Sequence, residues 1–377
     1  MRVGILAGCL GRRDGGPETY ERELIRAIAQ QDKINEYHIY TFEPKASVPL
    51  GPLPENFHLR VLWPRSRWIS LTASLPLMMA KDAVDVFHAP LYPPPICHVP
   101  FVFTMHDISP IARPDFFAPN VYRRLNPLVR RGLRRAQIVL CVSHDAMQAT
   151  AAITGIDTKR MRVVPHGVDS SFRPMPEDQA GAVLQKGYGL TGPYMLYVGK
   201  IMARKNVTRV IEAYASYAEV TGSETRLVLA GKRLYDTSDV DEAIARLGLT
   251  EKVLELGHVS DAQLHALYAG AEMFVYATLW EGFGLPLLEA MASGTPVIAS
   301  NVTSIPEIAG QAALLVDPYD VSAIANAMIQ LHRDNSLRQT LIKAGLERAA
   351  QFTWLRTAEL TISAYKLALT SSHGQSV

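Results

Sequence analysis

The sequence predicts an α/β protein in which two doubly wound, Rossmann-like domains face a cleft. Three observations predict this class. With 377 residues, the chain exceeds what one hydrophobic core usually holds. Short apolar or β-branched runs alternate with segments of helical spacing, as in a parallel sheet covered by helices. The polar, proline-bearing stretch 170–179 interrupts this alternation and predicts a linker.

Candidate strands occur in both halves of the chain. They are 2–8, 37–42, 58–63, 85–89, 101–107 and 137–143 in the first half, and 194–199, 226–231, 252–257, 273–278, 296–300 and 312–317 in the second. Helical patterns such as 207–220 and 321–332 fill the gaps. We therefore expect an N-terminal domain over 1–175 and a C-terminal domain over 176–352. A helix within 353–377 is expected to pack back on the N-terminal domain before a polar tail.

The cysteines and the apolar runs indicate in which cellular compartment the protein is expected. Cys9, Cys97 and Cys141 are odd in number and scattered, so they predict neither a disulfide framework nor a metal site. A reducing cytoplasm is the expected location. No apolar run approaches the roughly 18 residues of a membrane-spanning helix. The N-terminus reads as a buried strand rather than a signal peptide.

Charge is unevenly distributed along the chain. Residues 1–170 carry 21 Lys and Arg against 15 Asp and Glu, a net +6, whereas 171–377 carry 17 against 21, a net −4. The split favours two halves with different partners, and the basic half suits an anionic surface. A chance imbalance between domains is the alternative.

The stretch EGFGLPLLE follows a candidate strand and carries an acid at each end, Glu281 and Glu289. Pro286 suits the first turn of a helix, whose early amides can hold a diphosphate. Carboxylates accept hydrogen bonds in pairs, and vicinal diols offer donors in pairs. Glu281 is therefore a candidate for holding sugar hydroxyls and Glu289 for holding a ribose. The alternative is a turn residue and a surface or capping residue.

Three cations, Lys200, Arg204 and Lys205, lie between another strand end and a helix. Such a cluster can neutralise a diphosphate and stabilise it as a leaving group. Simple solvation is the alternative for each cation alone. No D-x-D-like triplet lies near a strand end and no His/Cys/Asp ligand cluster is apparent, so we expect no metal and no other cofactor.

Strand ends in the first half add further candidates. Gly15 and Gly16, before a proline and a helix, form an anion-compatible turn. Their spacing is not G-x-G-x-x-G, which counts against a nicotinamide enzyme. His106 and Asp107 end a strand and form a plausible catalytic edge, with a structural histidine as the alternative. His166 also lies at a strand end, without an assigned role.

A basic stretch, YRRLNPLVRRGLRR, places six arginines from Arg123 to Arg135 among leucines and a valine. On a helix this is a basic amphipathic pattern suited to an anionic membrane, with a solvated face as the alternative. No nucleic-acid motif accompanies it, so nucleic acid is not an expected partner. Trp63, Trp68 and Ile69 form a second candidate surface for a membrane or an acceptor.

The segments 281–301 and 305–318 resemble the E-x7-E region of retaining glycosyltransferases of family 4, which have the two-domain GT-B fold. YVGKIMARKN, VVPHGVD, the early glycine pair and the HD pair fall in the order that the family shows. The resemblance implies that the second domain binds a nucleotide sugar and the first binds the acceptor.

The resemblance also assigns roles within EGFGLPLLE. Glu281 matches the acid that holds the hydroxyls of the donor sugar. The backbone amides of Phe283, Gly284 and Leu285 lie beside it. Glu289 matches the ribose ligand. These assignments agree with the chemistry of the residues themselves.

Outside that stretch, the resemblance implies that Gly16 and its loop approach the diphosphate. Arg204 and Lys205 match the pair that holds phosphate. His106 matches the residue that lies against the transferred sugar near its reacting carbon. Many relatives carry Arg where Lys200 stands, so this chain departs from the family pattern there.

Within the family, TMHDISPIARPDFF and AGKRLYD look most like mannosyltransferases of bacterial surface-polysaccharide assembly. This implies GDP-mannose as donor and a glycan or lipid-linked oligosaccharide as acceptor, with a UDP-hexose donor as the alternative. The expected location is the cytoplasm, with peripheral association at the inner membrane face. Many relatives carry Asn where His166 stands.

Three other classes remain as alternatives. A glycoside hydrolase would use Glu281 and Glu289 as acid and nucleophile, but it has no use for the cations or the glycine-rich helix start. A nucleotide-sugar epimerase on the same plan would need no acceptor. A binder without catalysis would not need the catalytic positions, all of which are occupied.

Overall fold

The computed structural model describes most of the chain, which divides into two compact units. Described are residues 1–12, 15–64, 66–91, 93–235 and 237–373, without the side chains of 121, 124, 125 and 371–373. Unit 1 comprises Met1–Pro114, Pro119–Gly167 and the segment from Thr353 onward. Unit 2 comprises Asp115–Ala118 and Val168–Phe352.

Unit 1 contains a seven-stranded parallel sheet in the order β3-β2-β1-β4-β5-β6-β7. The strands are β1 Arg2–Leu6, β2 Glu36–Thr41, β3 Phe57–Val61, β4 Val86–Ala89, β5 Phe101–Met105, β6 Ile138–Cys141 and β7 Met161–Val163. The central strands β4, β5 and β6 are buried along their whole length. Continuous burial of this kind explains why they read in the sequence as apolar runs without polar alternation.

Eight α-helices of unit 1 surround this sheet in the described chain. They are α1 Gly16–Gln31, α2 Ser47–Leu50, α3 Arg67–Ile69, α4 Leu75–Lys81, α5 Ser109–Ala112, α6 Pro119–Arg135, α7 His144–Thr154 and α16 Trp354–His373. A π-helical turn, Ser70–Ser74, joins α3 to α4. Helix α16 packs along α1 and against β4, β5 and β6.

Unit 2 repeats the plan with a six-stranded parallel sheet in the order β10-β9-β8-β11-β12-β13. Its strands are β8 Tyr194–Val198, β9 Arg226–Ala230, β10 Val253–Gly257, β11 Met273–Tyr276, β12 Val297–Ser300 and β13 Leu314–Val316. Its α-helices are α8 Glu177–Tyr188, α9 Val207–Thr221, α10 Ser238–Arg246, α11 Asp261–Ala269, α12 Leu285–Ala292, α13 Ile305–Ala309, α14 Val321–Arg333 and α15 Asn335–Ala349. The prediction of two doubly wound α/β domains is confirmed.

The chain passes from unit 1 to unit 2 at Gly167/Val168 and returns at Phe352/Thr353. Unit 2 thus begins before residue 176, where the second domain was expected to start. At this boundary, the Val168 N–H donates to the Phe352 carbonyl at 3.1 Å. A Cβ at Gly167 would lie 2.1 Å from the Trp354 backbone nitrogen, which explains the glycine there. The stretch 170–179 is not wholly a linker, because α8 begins at Glu177 within it.

Candidate active site

Three of the predicted site residues form one buried ion cluster in unit 2. Lys205 Nζ lies 2.5 Å from Glu281 Oε1, and Arg204 Nη1 lies 3.3 Å from Glu281 Oε2. Arg204 also donates to the Trp280 carbonyl at 2.9 Å. Lys205 and Glu281 are each 7% exposed. The sequence identified the acid and the two cations, but not that they pair with one another.

Local structure places the two cations. Ala203–Lys205 form a 3-10 turn after β8, and Asn206 then adopts a left-handed conformation with φ 58°. Its side-chain amide donates to the carbonyls of Ala277 at 2.8 Å and Pro318 at 2.7 Å, beyond the ends of β11 and β13. The turn is thus fixed to neighbouring strand ends.

The cluster determines the charge of Glu281. Burial alone would raise the pKa of this carboxyl group, but Lys205 and Arg204 outweigh that effect and lower it below its usual value. A hydrogen bond from Tyr276 acts in the same direction. Glu281 is therefore an ionised acceptor at neutral pH, and the buried positive charge beside it exceeds its own negative charge.

The start of α12 lies directly after Glu281. Gly284 precedes the helix with φ 103°, and a Cβ there would come within 2.9 Å of Ile305 Cδ1, so glycine is required. The helix has no side-chain cap, and Phe283 is buried while Leu285 is half-buried. Backbone amides at such a helix start favour an anion.

Glu289 lies one turn into α12 and is 9% exposed. Tyr268, on α11, donates from its hydroxyl to Glu289 Oε2 at 2.8 Å. The acid is therefore neither a surface residue nor a helix cap, since it lies inside the helix and bonds to a neighbouring one. Lys200, by contrast, is exposed.

In unit 1, the loop after β1 is held by two glutamate side chains of α1. Glu21, which is 2% exposed, accepts from the backbone N–H groups of Gly8 at 3.1 Å, Cys9 at 2.7 Å and Leu10 at 3.1 Å. Glu18 accepts from the Gly11 N–H at 2.9 Å. Four successive amides are thus held by side chains of this chain. Sequence reasoning missed Glu21 entirely.

The glycine pair lies where α1 begins. Gly15 precedes the helix with φ 76°, a conformation that favours glycine. A Cβ built on Gly16 would meet no atom within 4 Å. Open space beside Gly16 is what close approach of a ligand to the backbone requires.

His106 follows β5, is half-buried and contacts two other rings of unit 1. Its ring centroid lies 4.5 Å from that of Tyr20, edge to face, and its Nδ1 lies 3.4 Å from His166 Nε2. Burial lowers the pKa of His106 to about 4, and burial together with His106 also lowers the pKa of His166. Both imidazoles are therefore neutral at pH 7. Asp107 instead accepts from the N–H and hydroxyl of Ser109, at the start of α5.

The basic stretch forms α6. Val129 and Leu133 on this helix are buried, whereas Arg131, Arg134 and Arg135 are exposed. Val129 and Leu133 are thus turned into unit 1, and these three arginines make the exposed side of the C-terminal half of the helix cationic. The second candidate surface has Trp63 at 78% and Trp68 at 55% exposure.

The described ranges hold neither a metal-binding group nor a membrane-spanning helix. Among residues whose side chains the structure describes, no three His, Cys, Asp or Glu side chains are grouped so as to hold a metal ion. None of the described helices combines the length and apolar character needed to cross a bilayer.

Comparison with solved structures identifies the fold. Sucrose-phosphate synthase from Thermosynechococcus elongatus is 22% identical with a TM-score of 0.77, covering 98% of this chain and 100% of that one. The Anabaena protein HepE, in complex with UDP-glucose, is 18% identical with a TM-score of 0.76, covering 99% and 100%. The protein has the GT-B fold of glycosyltransferases, as the resemblance implied.

Sequence comparison identifies the family. Residues 14–172 match Glycosyltransferase Family 4, and residues 185–348 match Glycosyl transferases group 1. The O-antigen chain mannosyltransferase B of Escherichia coli is 34% identical over 363 residues, which are 92% of this chain and 95% of the relative. The chain belongs to the family 4 glycosyltransferases.

Proposed function

We propose that the protein transfers mannose from GDP-mannose to a glycan or lipid-linked oligosaccharide in surface-polysaccharide biosynthesis, with retention of the α configuration. The ion cluster of Glu281, Arg204 and Lys205 at the start of α12 carries the proposal. It combines buried cations, which suit a diphosphate, with an ionised acid, which suits sugar hydroxyls. A hydrolase of neutral glycans would have no use for the cations.

The donor would bind unit 2. Arg204 and Lys205 would hold the diphosphate together with the amides of Phe283 to Leu285. Glu281 would then accept from the hydroxyls of the sugar. Glu289 would accept from the ribose, because its carboxylate is ionisable and lies one turn further along the same helix.

In the proposed reaction, the bond between the anomeric carbon and the diphosphate oxygen breaks. A bond forms on the same face between that carbon and the acceptor hydroxyl oxygen, and the hydroxyl proton passes to the departing diphosphate. The fixed positive field around Arg204 and Lys205 lowers the barrier by stabilising the leaving group. His106 would lie against the transferred sugar as a neutral group, and Gly15 and Gly16 would admit the diphosphate. Neither a metal nor another cofactor takes part.

The proposed identity of the sugar donor rests on similarity to relatives. The Escherichia coli relative is named as a mannosyltransferase of O-antigen chains, which supports mannose and a polysaccharide acceptor. HepE shares the fold and binds UDP-glucose, so a UDP-hexose donor is the second candidate.

Calorimetric titration of GDP, GDP-mannose, UDP and UDP-glucose, with EDTA present, tests the donor and the metal together. We expect GDP compounds to bind more tightly than UDP compounds. A preference for UDP would move the donor to a UDP-hexose. Binding of no nucleotide, or binding only after Mg²⁺ is added, would contradict the proposal for the site or for the metal respectively.

We further propose that α6 attracts the protein to anionic lipid at the cytoplasmic membrane face. Val129 and Leu133 on this helix are buried, so the attraction would be electrostatic rather than by insertion. Vesicles of phosphatidylcholine with and without phosphatidylglycerol test this by co-sedimentation. The double variant Arg134→Gln/Arg135→Gln should sediment less with anionic vesicles, whereas Lys186→Gln/Lys343→Gln, exposed in unit 2, should not. Equal sedimentation with both lipids would contradict the proposal.

A further inference from the structure

Three aromatic side chains form a continuous ladder inside unit 2. The rings of Tyr268 and Phe274 meet edge to face with centroids 5.4 Å apart. The rings of Phe274 and Tyr276 stack with centroids 5.5 Å apart. All three side chains are fully buried. The ladder runs from helix α11 to the carboxyl end of strand β11.

At each end of the ladder, a tyrosine hydroxyl bonds to a residue that is a candidate for binding the nucleotide sugar. At one end, Tyr268 donates to Glu289 at 2.8 Å. At the other end, Lys205 Nζ donates to the Tyr276 hydroxyl at 2.7 Å and lies 4.9 Å from the centre of its ring. Burial raises the pKa of both tyrosines well above the usual value, so both hydroxyls keep their protons.

We propose that Tyr268 and Tyr276 are positioning residues, which orient Glu289 toward a ribose diol and Lys205 toward a diphosphate. This inference rests on the proposed function, because it concerns the same donor site. It extends that function by separating two parts of nucleotide recognition. Within a nucleotide, Tyr268 would affect the ribose and Tyr276 the phosphates. Tyr276 also bonds to Glu281, the candidate for the donor sugar, so nucleotides without a sugar isolate its effect on Lys205.

The physical argument is preorganisation. Glutamate and lysine side chains have several rotatable bonds, and fixing them on binding costs conformational entropy. A hydroxyl that already holds the carboxylate or the ammonium group removes part of that cost. Because the ladder is fully buried, its rings fix the positions of the two hydroxyls relative to one another. Loss of one such hydrogen bond changes affinity by about threefold to tenfold.

Simple core packing is the alternative explanation, since a buried tyrosine hydroxyl needs a partner in any protein. Tyr214 provides the matched control. It is equally buried in unit 2, and its hydroxyl donates to the Thr225 carbonyl at 2.7 Å, a bond to the main chain rather than to a candidate ligand group. Tyr214→Phe thus removes a buried hydroxyl without touching the site.

The ribose part is tested by calorimetry with GDP or UDP, whichever the wild type binds more tightly, and its 2′,3′-dideoxy analogue. Tyr268→Phe should weaken binding of the ribonucleotide by about threefold to tenfold and leave the dideoxy analogue unchanged. In a Glu289→Ala background, Tyr268→Phe should have no further effect, because its action passes through that carboxylate.

The phosphate part uses the same nucleoside as its monophosphate and diphosphate. Tyr276→Phe should lower the preference for the diphosphate by about threefold to tenfold without changing the preference for ribose. Tyr268→Phe should show the opposite pattern. Tyr214→Phe should change neither preference.

Every outcome decides the proposal. Equal weakening of all ligands, or no change in either preference, would show that the hydroxyls serve packing alone and would overturn it. Failure of the wild type to bind any nucleotide would overturn the proposed function, which is a different result. Thermal unfolding checks that each variant is folded. Should Tyr268→Phe not fold, Tyr276→Phe still decides the proposal through the diphosphate preference, with Tyr214→Phe as its control.

Discussion

The two units share one architecture but differ in the electrostatics of their candidate residues. In unit 2, Glu281 is ionised between Lys205 and Arg204, so the site consists of buried, paired charges. In unit 1, the half-buried His106 and the buried His166 are neutral imidazoles. The ends of strands in a parallel sheet can therefore carry either paired charges or neutral polar groups. What differs is the chemistry expected of each unit, a charged leaving group in unit 2 and neutral hydroxyls in unit 1.

The difference has an energetic side. Buried ions cost desolvation free energy, which is recovered only when every partner is present. Neutral imidazoles avoid that cost at neutral pH. When the pH falls, the unfolded chain binds protons that the buried imidazoles do not, so the folded state loses stability relative to the unfolded state. The two units should therefore respond to different substitutions and at different pH values.

The largest expected effect comes from breaking the ion cluster. Glu281→Gln should lower the transfer rate by between about 100-fold and 1000-fold, because it replaces one acceptor oxygen by a donor and removes the negative charge that balances Lys205 and Arg204. Steady-state transfer to the acceptor measures this. Glu255→Gln, which removes one exposed partner of Arg233 in the same unit, should leave the rate within about twofold. Near-normal transfer by a folded Glu281→Gln protein would show that the site is wrongly assigned.

The next largest effect is expected at Glu21 in unit 1. Glu21→Ala should lower the free energy of unfolding by about 2 to 3 kcal/mol, because three buried amides lose their acceptor. Urea unfolding measures this. Glu36→Gln removes an exposed ion pair with Arg2 and serves as the control, with a change of less than about 1 kcal/mol. Equal stability of Glu21→Ala and wild type would mean that the loop does not depend on the acid.

A third effect is pH-dependent. Burial lowers the pKa of His88 to about 3, and its ring bonds to Tyr365 and Thr104 at 2.8 Å each. The unfolded chain binds this proton below about pH 6.5 whereas the folded chain does not, so stability is lost as the pH falls. At pH 5 the loss should reach ~2 kcal/mol relative to pH 7.5.

Comparison of wild type with His88→Gln at both pH values isolates this group. The stability difference between the two proteins should shrink on acidification, because only the wild type carries the imidazole. Burial raises the pKa of Glu21 to about 8, but this group is present in both proteins, so its contribution cancels in the comparison. A difference that stays constant with pH would contradict a neutral buried His88.

The smallest effect is expected at Lys200, an exposed cation of unit 2. Lys200→Ala should change donor affinity by less than about threefold, since solvent screens an exposed charge. Arg204→Ala is the matched comparison, because its partly buried guanidinium group belongs to the cluster. Calorimetry with the preferred nucleotide measures both. Equal losses would place Lys200 in the cluster as well.

Much of the fold was predictable from the sequence. Strands such as β5 and β11 are buried on both faces, so their apolar runs are unbroken and easily recognised. The C-terminal helix within 353–377 was expected to pack on the N-terminal domain, although no local pattern in it specifies which unit it joins. The exact division at Gly167 depends on contacts with residues far away in sequence.

The site was only partly predictable. Glu281 and the cations stand at strand ends, where residue type and position suffice to select them. Their pairing could not be predicted, because nothing local connects positions that far apart. A signal for Glu21 did exist. It lies on the stripe of Leu24, Ile25 and Ile28, and an acid on a helix face otherwise turned to the core requires a buried partner.

The return of the chain at Thr353 has a consequence for synthesis on the ribosome. Unit 1 is completed by α16, where Tyr365 bonds to His88 and Thr357 donates to the Pro165 carbonyl at 2.7 Å. These residues are translated after the whole of Val168–Phe352. Because domains fold as units during translation, unit 2 can be complete while the first-made part of unit 1 still waits for its last helix. Unit 2, although most of it is translated after unit 1 has begun, can therefore mature first.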